Sequence, residues 1–576
     1  MKTKKTMSKL VAGAVIALAS IAPSYGQNNL GAACGCPPVS SRTTVVVAST
    51  LPGFVAVANS QGGELTQGGN WTCDKIYILD QKIYVPAGQI LNIQPGTVIK
   101  ANATASPTLA TALIIERGGK IIAAGTEECP IVFTAAADPV NNTFGINNKG
   151  LWGGIVILGK ATNNLKLTPN GPYVPGGAGL LAVADGLGVI EGFATNIPQD
   201  RYGVNTSAAV VAGELSSQTF DDNDNSGILR YVSIRHSGAI LTVGAEINGL
   251  TLGSVGRGTS IEHIEIVSCA DDNIELFGGT VNLKYVTTLF GNDDMFDWDN
   301  GWTGRAQFLF GMKGDLTFSA DNDNGFEADG DDQKSNLLPR SHPVVYNATI
   351  MGNAKTTLNT DNSSIAGINA KEITEGEIYN SVFANFKNGF NMVKSLGTRT
   401  GTSEAYHNWA VTGGNGSLSL KVKCNTFVGC INPLTVGSAT TAVLATDNTQ
   451  FTTTDLNTIV VGNTLPGFDY NFAVNPATNV FTAKNDVVPN PALSVTGCPV
   501  APVDGFFVPA SYRGAFASTG ENWLSNWSYS SVLGATKNTV PCATDINQDG
   551  TTDVNDFLIF APKCRLPVER ATSIWN

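Results

Sequence analysis

The chain has 576 residues with a formal net charge of −12, and only 14% of its residues are charged. An acidic balance of this kind suits neither nucleic acid nor an anionic membrane surface, where lysine and arginine supply the affinity. Its 63 glycines, many Thr, Asn and Val, and few long helix-forming runs predict an all-β protein.

Residues 1–26 open with lysines, continue through an apolar run from Leu10 to about Ala22, and end in small residues before Gln27. That order predicts a secretory signal peptide cleaved near Gln27, and therefore a secreted or cell-surface protein. The apolar run is short for a bilayer, and no later stretch reaches the roughly 20 apolar residues a transmembrane helix needs. Cleavage would remove four lysines and no acid, taking the formal charge from −12 to −16. All 10 cysteines lie beyond the leader, and an even number in an exported chain predicts disulfides. Cys424 with Cys430 and Cys542 with Cys564 are the disulfides expected between local neighbours, and the remaining connectivity is left open. No CxxC spacing supports a zinc site.

Residues 27–85 read as an N-terminal segment and cap. From residue 86 short β-type runs recur, among them "QILNIQPGTVIKA" (89–101), "GILRYVSIRHSG" (227–238) and "SIEHIEIVSCADDNIELFGG" (260–279). Leu229, Ile261 and Leu283 each start an alternating strand followed by a polar turn, and 22 residues separate Ile261 from Leu283. A repeat of about 20–30 residues with short strands and Gly or Asn corners predicts a solenoid, here a right-handed parallel β-helix. It extends over 86–500 with loop insertions, 431–500 being irregular. Residues 501–540 form a closing segment whose Trp523 and Trp527 are expected to cap the C-terminal end.

"GTVIKA", "ALIIERGGKIIAAGTEECPIVFTA", "GLWGGIVILG" and "GFFVPASYRGAFASTGENWLSNW" resemble a family of secreted right-handed parallel β-helix proteins of Bacteroidota and relatives. The resemblance spans roughly residues 70–535; it implies fold and export, and no agreed activity.

In the tail, 541–576, "DINQDGTTDVND" has the spacing of an EF-hand loop. Asp545, Asn547 and Asp549 offer side-chain oxygens, Gly550 permits the turn, Thr551 offers its carbonyl, and Asp553 and Asp556 complete the shell. The loop resembles a dockerin type I repeat, which also ends in Asp. One loop where a dockerin has two, and Thr552 where an apolar residue is usual, leave calcium as its ligand rather than a cohesin.

"NDDMFDWDNG" (292–301) has a counterpart before it, "DDNIELFGG", and one after it, "DNDNGFEADGDD". Aligned on Ile274, Phe296 and Phe326, the three place Glu275, Asp297 and Glu327 in one column. Asp272, Asp294 and Asn324 form a second column, and Asp299 and Asp329 a third. Stacked coils lie about 4.8 Å apart, so like charges there need compensation. Calcium bridging between coils is the first reading; a polar face of Asp and Asn bonded to backbone N–H groups is the second. A catalytic cleft is the third, for which Arg305, Lys284, Arg235 and His236 are the nearest bases, and no catalytic residue is assigned. Trp298, Trp302 and Phe308 read as packed aromatics before they read as a sugar platform.

These features describe an exported, calcium-stabilised β-solenoid with a structural or adhesive role, whose partners would be an extracellular polysaccharide, a surface, or other copies of itself. The alternative is a polysaccharide lyase or a non-catalytic glycan-binding protein.

Overall fold

The structure, a computed structural model, describes residues 30–103, 110–167, 181–242, 245–314, 324–330, 337–353, 365–392, 405–411, 418–436, 443, 445–462, 487, 493–517 and 522–536. The leader, Cys542, Cys564 and the loop residues Asp545, Asn547, Asp549, Thr551, Asp553 and Asp556 lie outside them.

The repeat is a parallel β-helix, and each coil offers three strand faces. The strands Gly227–Arg235, Ser260–Val267, Asn282–Leu289 and Arg305–Met312 pair in parallel in one large sheet. Each bends midway into two faces, at Tyr231 (φ 49°), His263 (52°), Tyr285 (55°) and Phe308 (58°). A left-handed conformation costs a bulky residue about 1–2 kcal/mol. Here the four rings stack on one another with centroids 4.6, 4.4 and 4.9 Å apart, which offsets part of that cost. Later coils place Asn347 and Asn380 at the same corner, residues that adopt the conformation more easily.

The third face is a separate sheet. Its strands Ala112–Ile115, Ile155–Leu158, Leu250–Gly253, Ile274–Phe277, Phe296–Asp299, Phe326–Ala328, Ala366–Ala370 and Asn388–Met392 pair in that order, all parallel. Strand alternation sends one set of side chains inward. Leu229, Ile261 and Leu283 are in mutual register, as the repeat predicts, and with Ile274, Phe296 and Phe326 they join one continuous buried core. Burying each such side chain contributes about 1.5–3 kcal/mol.

The ends and sides are covered. An antiparallel hairpin, Phe54–Val57 with Gly62–Leu65, meets the N-terminal coil, and Cys34–Cys129 and Cys36–Cys73 tie residues beyond it to the body. At the other end Phe451 is fully buried against Phe390 and Phe427, with Trp409 beside Phe390. Trp523 and Trp527 do not cap that end. They lie along the side, against Tyr285 and Tyr231, where the apolar outer surface of Val267, Leu289, Phe310 and Met351 needed a cover. The disulfide expectation is corrected too: Cys424 pairs with Cys498, 74 residues away, and Cys430 is a free thiol. Sequence proximity was a poor guide because a solenoid brings residues together one or more coils apart.

An insertion between the strands Ile155–Leu158 and Gly227–Arg235 folds over the third face. Its antiparallel strands Leu181–Ala184, Leu187–Val189 and Arg201–Gly203 place Tyr202 over Phe277, ring centroids 6.0 Å apart. Gly253 permits this approach, since a Cβ there would lie 2.7 Å from the Tyr202 ring.

Candidate metal centre

The outward positions of the third face change character along the solenoid. Under the insertion they are apolar, as in Val156 and Leu158. Beyond it the same two columns become acidic. Thr251, Glu275, Asp297, Glu327 and Asn369 succeed one another in one column, and Phe277 stands beside Asp299 in the other. Asp329 and Lys371 continue that second column, each directly after its strand.

A third column runs along the corner before these strands. Asp272 Oδ1 accepts the backbone N–H of Asp294 at 2.7 Å, and Asp294 Oδ1 accepts that of Asn324 at 2.6 Å. Asn324 Oδ1 then accepts the N–H of Ala366 at 3.2 Å. One oxygen of each acid is thus spent on the next coil's backbone, which is the polar-corner arrangement. Asn248 occupies the equivalent place one coil earlier and donates its amide to Glu275 Oε2.

The remaining oxygens converge. Asp272, Glu275 and Asp297 each offer a carboxylate oxygen within 4.8 Å of the others, and so do Asp294, Asp297 and Glu327, and Asp271, Asp272 and Asp293. Opposite oxygens around a calcium ion bound at about 2.4 Å stand about 4.8 Å apart, so the clusters can hold a metal ion. The donors are all hard oxygens, with no thiolate or imidazole among them.

The electrostatics sharpen this. Burial, followed by the charges of Asp271, Asp293, Asp294 and Asp297, pushes Asp272 well above the carboxylate range. Glu275 is raised by burial and then by Asp297, Glu191 and Asp271. Asp297 is raised by burial and then by Glu327, Asp294 and Asp329, and Lys371 opposes the shift. Asp272, Glu275 and Asp297 have no ion pair among the described residues, and Asp297 Oδ1 is enclosed without a hydrogen-bond partner.

The far end is compensated. Lys371 Nζ sits 2.6 Å from Glu327 and 3.2 Å from Asp329. Burial opposes the ammonium, but Asp329, Glu327 and Asp297 outweigh it and hold Lys371 well above the usual lysine range. Asp299 turns to its neighbour, accepting the Asn300 N–H at 2.5 Å. Of the acids picked out in the sequence, Asp272, Glu275, Asp294, Asp297 and Glu327 meet in these clusters, whereas Asp299 and Asp329 stand beside them. Sequence reasoning missed Asp271 and Asp293 as members, and also Asn248 and Lys371. Extending the hydrophobe alignment to Leu250 and Ile368 would have found the last two.

The expected bases are not part of the seam. Arg305 pairs with Asp504, Lys284 donates to the Phe506 carbonyl, and Arg235 lies over the Tyr529 ring at 4.3 Å, all from the other sheet. His236 is enclosed beside the Asn148 carbonyl at 2.7 Å, and burial lowers its pKa to about 4. Trp298 and Trp302 belong to the core.

A family model described as a pectate-lyase-like beta helix domain matches residues 63–175 and 186–459. Among solved structures, the Dettilon tailspike protein is similar at 10% identity over 68% of this chain and 68% of its own, with a TM-score of 0.25. The catalytic domain of a GH87 alpha-1,3-glucanase in complex with nigerose is similar at 12% identity over 73% of this chain and 69% of its own, also at 0.25. Likenesses this faint carry nothing about ligand or reaction. No curated protein matches the chain.

Proposed function

The chain belongs to the pectate-lyase-like beta helix family, and from that premise we propose an exported β-solenoid clamped by calcium, with a structural or adhesive role outside the cell. One observation carries the reading: carboxyl groups of successive coils converge within 4.8 Å, and Asp272, Glu275 and Asp297 lack a paired cation among the described residues. A divalent ion there would join neighbouring coils and relieve the repulsion in one step. Three disulfides support an oxidising compartment, in keeping with the leader read from residues 1–26. In this reading the Asp545–Asp556 loop is a second, separate calcium site, and the long outward columns offer repeated contacts to a polysaccharide or a surface.

A second reading, a polysaccharide lyase, draws on the family's name and on Lys371 beside the acids. A lyase base must be neutral when it takes its proton. Lys371, held as an ammonium by Glu327 and Asp329, is poorly placed for that.

Two measurements separate the readings. Chelating calcium from the purified protein should lower its melting temperature, and an unchanged melt would mean that no calcium clamps the coils. Incubation with acidic polysaccharides should release no unsaturated ends; sustained release that is lost in Lys371→Met would favour the lyase.

A further inference from the structure

The corner where the large sheet bends between its two faces carries a left-handed residue in coil after coil. Tyr231, His263, Tyr285, Phe308, Asn347, Asn380 and Cys424 follow one another there, with φ values from 49° to 58°. Cys424 succeeds Asn380 because Tyr379 pairs with Lys423 and Val382 with Thr426. Glycine or asparagine holds such a corner at the least cost. Tyrosine, histidine and phenylalanine there must gain something through their side chains.

The chain from Cys498 onward meets this column again and again. Cys498 is bonded to Cys424. Asn380 Nδ2 donates to the Pro499 carbonyl at 3.0 Å, and Asn347 Nδ2 donates to that of Tyr512 at 2.8 Å. The Asn380 carbonyl accepts the Gly514 N–H at 2.8 Å. Ring centroids of Trp523 and Tyr285 lie 5.5 Å apart, as do those of Trp527 and Tyr231. Beside the corner, Gln307 and Val508 exchange two hydrogen bonds, both of 2.8 Å. At about 4.8 Å per coil, Tyr231 and Cys424 stand about 30 Å apart along the axis. One stretch of chain thus holds coils that a solenoid would otherwise join only to their neighbours.

We propose that the corner column is a docking rail, and that residues 498–535 form a strap that seats on it and leaves it as one unit. Among its described residues the strap has one regular element, the short helix Tyr529–Leu533, so its order comes from the rail rather than from itself. Leaving would uncover the apolar outer surface of Val267, Leu289, Phe310 and Met351 and free Glu265 from Tyr529 and Ser530. The ladders beneath run from coil to coil and do not depend on it. Contiguous segments that open together below the global unfolding free energy behave in this way. The strap stands independently of the calcium reading.

Hydrogen exchange of the full-length protein, read by mass spectrometry, tests it. Asn347→Gly together with Asn380→Gly removes two side-chain donors to the strap and leaves corners that glycine adopts without strain. Losing two such hydrogen bonds should speed exchange about tenfold. The rise should be the same in residues 506–516 and in residues 523–533, which lie over Tyr231, Glu265 and Tyr285 instead. The strand Phe296–Asp299, on the third face, should be unchanged. Trp527→Ala, made at the other end of the rail, should speed both stretches of the strap alike. A rise confined to the stretch beside each substitution would overturn the single unit, as would no rise at all or an equal rise in Phe296–Asp299.

Discussion

Glu265 lies fully buried beneath the C-terminal segment, where it accepts the N–H groups of Tyr529 and Ser530 at 2.6 and 2.9 Å and the Ser530 hydroxyl at 2.6 Å. Arg235 stands 3.9 Å away and stacks on Tyr529. On the third face, Asp272, Glu275 and Asp297 are also drawn from water, yet there carboxyl meets carboxyl. The first acid locks a segment to the body with partners the chain supplies. The second group is left for something from outside to complete. Burial alone therefore does not mark a cation site; what marks it is the shortfall of donors around the buried charge.

The largest effect should fall on the lock. Glu265→Ala removes one member of a buried pair and strands Arg235, which costs about 3–5 kcal/mol. The loss of melting temperature should be equal in calcium and in chelator, and rescue by calcium would break the comparison. Next comes the ion. Calcium at about 100 times its dissociation constant should add about 2.7 kcal/mol, readable as a concentration-dependent melting temperature.

Asp297→Asn sharpens the contrast because it should act with opposite signs in the two conditions. In chelator it relieves repulsion and should stabilise by on the order of 1 kcal/mol; in calcium it should erase most of the ion's effect. Thermal scans of both proteins with and without calcium read this out.

Acidity gives a related test. The seam carboxyls are raised above their unfolded values, so the folded chain holds protons that the unfolded chain releases. Stability of the chelated protein should then rise as pH falls from 7 toward about 4, and calcium should flatten that slope. The smallest effect belongs to the neutral ladder farther along, where Asn391 donates to Asn369 at 2.8 Å. Asn391→Ala should cost about 0.5–1.5 kcal/mol with no calcium dependence.

Much of the fold was legible in the sequence because strand period and corner residues are local signals. Leu229, Ile261 and Leu283 fell into register, and so did Ile274, Phe296 and Phe326, because each inward hydrophobe must stack on the one below. What escaped was set by chain that travels far. Cys498 reaches Cys424 by running back along the solenoid, and Trp523 reaches Tyr285 in the same way. Of the site, the Glu275 column could be read from spacing alone. Lys371 escaped because its strand, Ala366–Ala370, follows Phe326–Ala328 only after a long insertion that hides the repeat.

Calorimetric titration of the chelator-stripped protein with calcium shows whether the seam holds an ion, using a chain in which Asp545→Ala and Asp549→Ala silence the C-terminal loop. A calcium clamp at the seam predicts saturable binding of at least one ion that disappears when Asp297→Asn is added. Absence of binding, or binding indifferent to Asp297→Asn, would contradict it.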